Sequence, residues 1–177
     1  MVENLNELLK KVSTGDEVAL SDLLHFLQNQ TLTSAEEEQC QFYFKKVMND
    51  NHHILYLRGL LYKNGYSVKQ DFDMSFLLMR EAASKGNANA IFEVGHHFLM
   101  GIGVEKNYEN AYQWLKMAAS SPYYNINAMY HLGSLYEQGW GVELDREKAK
   151  YWYEKAAESG QVDAISKLSF QKINPVE

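Results

Sequence analysis

Residues 128–157 read AMYHLGSLYEQGWGVELDREKAKYWYEKAA, and this stretch decides the fold because it recurs along the chain. Residues 90–119 read AIFEVGHHFLMGIGVEKNYENAYQWLKMAA, and residues 54–83 read ILYLRGLLYKNGYSVKQDFDMSFLLMREAA. The three copies align without an internal gap. Repetition at this period is typical of solenoids, whose units contact only their neighbours and build long surfaces. The sequence therefore predicts a repeat architecture and no catalytic pocket.

Each copy contains the pattern of two helices joined by a turn. In the first segment, which we name helix A, an apolar residue, a glycine and an aromatic residue lie on one face, as Ala128, Gly133 and Tyr136 do. A glycine inside a helix costs about 1 kcal/mol against alanine, so we expect a neighbouring helix to approach closely there. The equivalent glycines are Gly59 and Gly95.

Small and polar residues at fixed positions predict the turn and the second segment, which we name helix B. Gly65, Gly101 and Gly139 are predicted to end helix A in the left-handed conformation. Polar residues at the end of the turn are predicted to cap helix B. They are Asp71, Asn107 and Asp145. Spacings of three to five residues predict the apolar stripe of helix B. Its members are Ser75, Leu78, Ala82 and Ala83; Ala111, Trp114, Ala118 and Ala119; and Ala149, Trp152, Ala156 and Ala157.

These motifs resemble a known repeat family. The succession of L-G-x-x-Y, G-x-G-V, a capping Asp and K-A-x-x-W-Y-x-K-A-A is similar to the Sel-one-like repeat, an α/α relative of the tetratricopeptide repeat. The match is near complete in residues 128–160, good in 90–119 and degenerate in 54–86. The resemblance implies an all-α fold, a right-handed α-solenoid of antiparallel helix pairs. It also implies an adaptor or scaffold that binds other proteins.

The ends of the chain extend this pattern. Gly15, Asp16 and Ala19 have the spacing of 86, 87 and 90, which predicts a helix A at 16–30 and a helix B at 34–48. About four pairs result, with terminal helices at 2–12 and 162–171. The predicted divisions are 1–50 (N-terminal helices including a degenerate repeat), 51–86 (degenerate repeat), 87–126 (repeat with an extended junction), 127–160 (repeat) and 161–177 (C-terminal capping helix and tail).

Composition and charge narrow the functional classes. The net charge of −6 is concentrated in residues 1–50, which contain nine acids and four bases, so nucleic acid is a poor partner and a basic protein is a better one. Ser34 and Glu37 have the spacing of a capping box, which accounts for the acidic run there. Cys40 is the only cysteine, so an internal disulfide is impossible. The N-terminus lacks the apolar core of a signal peptide and no long apolar stretch follows, which predicts a cytoplasmic protein without a membrane segment.

Motifs that would support chemistry are absent from the pattern. G-I-G-V and G-W-G-V lack the third glycine of a nucleotide-binding loop, and their recurrence predicts turns. His52-His53 and His96-His97 are adjacent pairs, whereas a helical zinc site uses residues four apart, so these histidines are expected to be solvated or to line a groove. His96 and His131 are placed where they could meet across repeats. We predict no catalytic residue, no metal and no cofactor, and therefore no enzyme.

A partner surface is predicted from the tetratricopeptide resemblance, which implies that helix A lines a concave wall. The inward positions two, five, nine and twelve, with the repeat glycine at eight, define the helix-A face. Its candidate contacts are His53, Tyr56, Lys63, Asn89, Phe92, His96, Leu99, Asn127, Tyr130, Ser134 and Glu137, together with Leu60. The rings at 56, 92 and 130 serve either binding or packing between repeats. The polar positions have no evident packing role, which makes them candidates for specificity.

The junction at 120–127 adds two further candidates, since it is two residues longer than the junction one repeat earlier. Tyr123 and Tyr124 are not explained by the repeat and either contact a partner or pack between repeats. Arg58 occupies a position that is apolar in the other copies, so its charge must reach water or a carboxylate.

Three functional hypotheses follow. The first is a protein-binding module of the bacterial cytoplasm, in its narrower form an immunity protein that neutralises one cognate toxin domain. The alternative is a signalling or assembly adaptor that binds extended peptide segments. The third is an enzyme or metal protein hidden by degeneration. A monomer or a weak homodimer is expected.

Overall fold

The computed structural model describes residues 5–29, 33–36, 38, 51–66 and 68–173, the last four of these as backbone only. In these ranges the regular elements are helices, and no strand is present. The fold class is therefore all-α. The chain divides into two compact units, Met1–Ala90 and Ile91–Glu177.

The helices are numbered in chain order within the described ranges. They are α1 (Leu5–Ser13), α2 (Glu17–Asn29), α3 (His52–Asn64), α4 (Phe72–Ser84), α5 (Ala88–Met100), α6 (Tyr108–Ala119), α7 (Ile126–Gln138), α8 (Arg146–Glu158) and α9 (Val162–Ile173). The pairs α3–α4, α5–α6 and α7–α8 are the helices A and B of the three sequence copies. The predicted N-terminal helix and the helix A at 16–30 correspond to α1 and α2. The helix B predicted at 34–48, and with it the fourth pair, lies almost entirely outside the described residues.

The repeat glycines lie where helix A contacts helix B. A Cβ on Gly133 would lie 2.6 Å from the Tyr153 ring, and one on Gly95 would lie 2.9 Å from Leu115. Gly59 meets Met79 in the same way. The prediction of close approach at these glycines is confirmed.

The side chains of helix B that contact the repeat glycines were not among those predicted for its apolar stripe. They are Met79, Leu115 and Tyr153, each one residue after the large member of the stripe. All three are fully buried, whereas Trp114 and Trp152 are only half-buried. Because two adjacent positions of helix B are both large and apolar, spacing alone did not decide which of them faces helix A.

The predicted caps and turns are confirmed. The carboxylate of Asp145 accepts the backbone N–H of Lys148, and Asp71 and Asn107 accept equivalent bonds. Gly65 and Gly139 end α3 and α7 with φ of 72° and 67°. The two G-x-G-V motifs are turns whose glycines all have positive φ. Gly141 has a further role, since a Cβ there would collide with the backbone of Tyr108 and Glu109.

Two predictions about individual residues require correction. The capping box in the described residues begins one residue earlier than expected: Thr33 Oγ1 accepts the N–H of Glu36, and Glu36 Oε2 accepts the N–H of Thr33. Glu37 lies outside the described residues. His97 does not lie in a groove or in solvent, because it occupies the position of Leu61 and Leu135 and is fully buried. Its Nδ1 donates to the carbonyl of Ile102 at 2.7 Å, which fastens the turn to α5.

Candidate functional site

The helix-A face of the second unit forms a ring cluster, which we define as Phe92, His96, Tyr130 and His131. Helix α5 contributes the first two side chains and α7 the others. The ring of His131 lies 5.5 Å from His96 and 6.0 Å from Phe92 between centroids, and Tyr130 lies 5.5 Å from His131. The predicted meeting of His96 and His131 is confirmed. All four side chains are half-buried, so the cluster is ordered by mutual packing and still reaches the surface.

A polar network adjoins the ring cluster. Tyr153 reaches from α8 past Gly133, and its hydroxyl donates to Glu137 Oε2 at 2.9 Å. Ser134 Oγ lies 3.1 Å from the same hydroxyl, and Lys167 Nζ from α9 binds Glu137 at 2.6 Å. Ser134 and Glu137 therefore do have a structural role, contrary to the expectation for polar positions of this face.

Burial sets the protonation of these groups. It lowers the pKa of His131 to about 4, with a smaller contribution from the neighbouring His96. It also raises the pKa of the Tyr153 hydroxyl to about 12. Burial alone would raise the pKa of Glu137, but hydrogen bonds from Lys167 and Tyr153 outweigh it and leave that pKa lowered. At neutral pH the His131 ring is thus uncharged, and the Glu137–Lys167 ion pair lies beside the cluster.

The first unit contains an open pocket of about 80 Å³, which we name the acidic pocket. Three predicted contacts, His53, Tyr56 and Asn89, line it together with Asp16 and Glu17, which were not predicted as contacts. The carboxylate of Asp16 caps α2 at Ala19 and Glu17 Oε1 accepts the amide of Asn89 at 3.2 Å. Val12, Gly15, Leu20, Asn87 and Ala88 complete the wall.

The other predicted contacts differ in exposure. Asn127 lies exposed in the first turn of α7, one turn before Tyr130. Lys63 is half-buried and outside the acidic pocket, whereas Leu99 is buried in the core with 7% exposure. Tyr124 is 60% exposed, and Tyr123 is half-buried. Asn127 and Tyr124 are thus the most accessible of these side chains.

The described part of the chain can be compared with the requirements of a metal site and of a membrane-spanning helix. No group of three or more His, Cys, Asp or Glu side chains is arranged there to hold a metal ion. None of the described helices has the length and apolar character needed to cross a membrane. His96 and His131, which come from different helices, pack against each other and against the ring of Phe92.

Solved structures resemble this arrangement of helices. One is a protective antigen present in uropathogenic Escherichia coli strains, which displays an SLR fold. It has 28% sequence identity and a TM-score of 0.74, over 95% of this chain. The chain spans only 36% of the length of that antigen. Another is a Sel1 repeat protein from Oxalobacter formigenes, with 27% identity and a TM-score of 0.70, over 96% of this chain and 70% of the other. No curated protein was found to match the chain.

The family comparison assigns the repeats directly. The model of the Sel1 repeat matches residues 55–87, 88–123 and 126–161, which is more than half of the chain. Sel1 repeat proteins are generally protein-interaction modules and are typically non-enzymatic scaffolds. On its repeats, helix pairs and structural relatives, the chain belongs to the Sel1 repeat family.

Proposed function

We propose that this protein binds a protein partner through its helix-A face and performs no catalysis itself. The observation that carries the proposal is the ring cluster, in which predicted contact positions of α5 and α7 come together at the surface. Tyrosine is one of the residue types enriched among those that dominate binding energy, and Tyr130 supplies such a ring. The proposal agrees with the general role of Sel1 repeat proteins.

Preordering of the cluster favours tight binding. Each ring is already held by its neighbours, so a partner does not have to immobilise it. The polar network fixes α7 against α8 and α9 directly beside the cluster. Exposed Asn127 lies on the same side of α7 as Tyr130, because residues three apart are neighbours on a helix. The surface therefore combines rigid rings with an accessible amide.

The narrower form of the proposal is an immunity protein that covers one cognate toxin domain in the bacterial cytoplasm. Its support is the acidity of the chain, with a net charge of −6, and the bacterial origin of the two similar structures described above. A basic partner would be steered to it by charge. An adaptor for extended peptides is the competing form and would bind several partners more weakly.

The experiment is affinity capture of the tagged protein from the lysate of its native host, with the tag alone as control. Mass spectrometry then identifies the retained proteins. One partner at equal stoichiometry, encoded beside this chain, supports a dedicated neutraliser. Several substoichiometric partners support an adaptor. Retention of no protein above the tag control contradicts both forms.

A further inference from the structure

The size of the acidic pocket restricts what it can hold. Its volume of about 80 Å³ is several times the roughly 15 Å³ that one water molecule needs. It is far below the roughly 300 Å³ at which sites for small molecules and cofactors begin. The pocket therefore suits the end of one side chain.

The charge of the lining selects the kind of side chain. Asp16 and Glu17 are carboxylates on the wall, and the described residues that line the pocket include no lysine or arginine. Burial, with a smaller contribution from the neighbouring His52, lowers the pKa of His53 and outweighs the opposing effect of Glu17, so this ring favours its neutral form. The N-terminus of α2 adds roughly half a positive charge, which is less than the two carboxylates contribute. The net field in the pocket favours a cation.

The aromatic rings that line the pocket favour a guanidinium over an ammonium group. His53 lies against the backbone at Gly15, where a Cβ would come within 2.7 Å of the imidazole. Tyr56 follows one turn later on α3 and also lines the pocket. A planar guanidinium stacks on such rings and bonds carboxylates through several N–H groups, whereas an ammonium is a compact, strongly hydrated charge.

We propose that the acidic pocket receives the guanidinium group of an arginine on the partner protein, an inference that rests on the proposed function. Glu17 supplies the principal carboxylate, held in place by Asn89, and the His53 and Tyr56 rings supply the stacking surface. Asp16 adds charge while capping α2. The remaining lining residues shape the opening.

The test uses the full chain and blocked arginine, Nα-acetyl-arginine amide, as the probe in an NMR titration. The backbone amides of Gly15, Glu17 and Asn89 are expected to shift in a saturable manner with millimolar affinity. Blocked citrulline, which has nearly the same shape without the charge, is expected to bind at least about threefold more weakly. Equal shifts from the two probes, or shifts that do not saturate at these amides, would overturn the proposal.

Matched variants separate the pocket from general electrostatics. Glu17→Gln keeps the shape and is expected to weaken arginine binding by about three- to tenfold. Asp22→Asn removes the same charge from an exposed position of α2 outside the pocket and is expected to have little effect. Equal losses in the two variants would contradict a pocket site. A negative result in this test would not contradict the proposed function, because capture of a partner protein does not depend on binding of the free arginine probe.

Discussion

Gly141 shows how a single residue of the repeat is fixed by two constraints at once. Its φ of 68° disfavours any side chain, and its Cα faces the backbone at the start of α6. Gly160 has a similarly positive φ of 90°, yet a Cβ there would meet nothing within 4 Å. The two positions therefore separate backbone strain from steric collision.

We expect Gly160→Ala to lower the free energy of unfolding by about 1 kcal/mol, the cost of the left-handed conformation. Gly141→Ala is expected to cost about 2 kcal/mol more, because backbone atoms must move apart. Urea denaturation of both variants and of the wild type measures the difference. Equal losses would show that Gly141 is only a turn residue.

His131 predicts a pH dependence of stability. Its pKa is lowered from 6.5 to about 4 in the folded state. Between pH 6.5 and about 4 the imidazole is therefore protonated in the unfolded chain but remains neutral in the folded chain. Stability is thus expected to fall as pH drops from about 6.5 to 4, by about 3 kcal/mol in total. His131→Gln should flatten this part of the profile, measured by urea denaturation at several pH values.

His25→Gln is the matched control, because His25 is exposed on α2. Its pH profile should keep the slope of the wild type. If His131→Gln also kept that slope, the buried and uncharged state assigned to His131 would be wrong.

At the scale of helices, the ends were predictable and the facing side chains were not. Asp145 and Gly139 act locally, since a cap is decided by a residue and its own backbone neighbours. The role of Tyr153 depends on Gly133 and Glu137, which belong to another helix. Spacing in the sequence gives the apolar side of a helix, but it does not give the partner that each side chain meets.

The candidate site was likewise predictable only in part from the sequence. Phe92 and Tyr130 were predicted correctly as members of the helix-A face, because the repeat period identifies equivalent positions in successive copies. Lys167 and Glu17 were missed, since they come from helices outside the three clear copies. Their contacts arise only when the terminal helices pack against the repeats.

Helix α9 offers a test at this scale, because Lys167 joins it to Glu137 of α7. We expect Lys167→Gln to lower the free energy of unfolding by about 1 to 2 kcal/mol, since the half-buried Glu137 loses its cation. Hydrogen exchange of the α9 amides should accelerate. Lys155→Gln, which breaks the exposed pair with Glu158, should leave α9 exchange unchanged. Similar exchange in both variants would contradict the fastening role of Lys167.

For the whole molecule, the central claim is that the helix-A face binds a protein. The measurement that tests it most directly is calorimetric titration of the captured partner into the wild type and two variants. Asn127→Arg places a bulky charge on the helix-A face, and Gln113→Arg makes the same change at an exposed position of α6, a helix B. We predict that Asn127→Arg weakens binding by about tenfold or more while Gln113→Arg binds as the wild type does. Unchanged affinity for Asn127→Arg together with a loss for Gln113→Arg would place the binding surface on helix B and contradict the account.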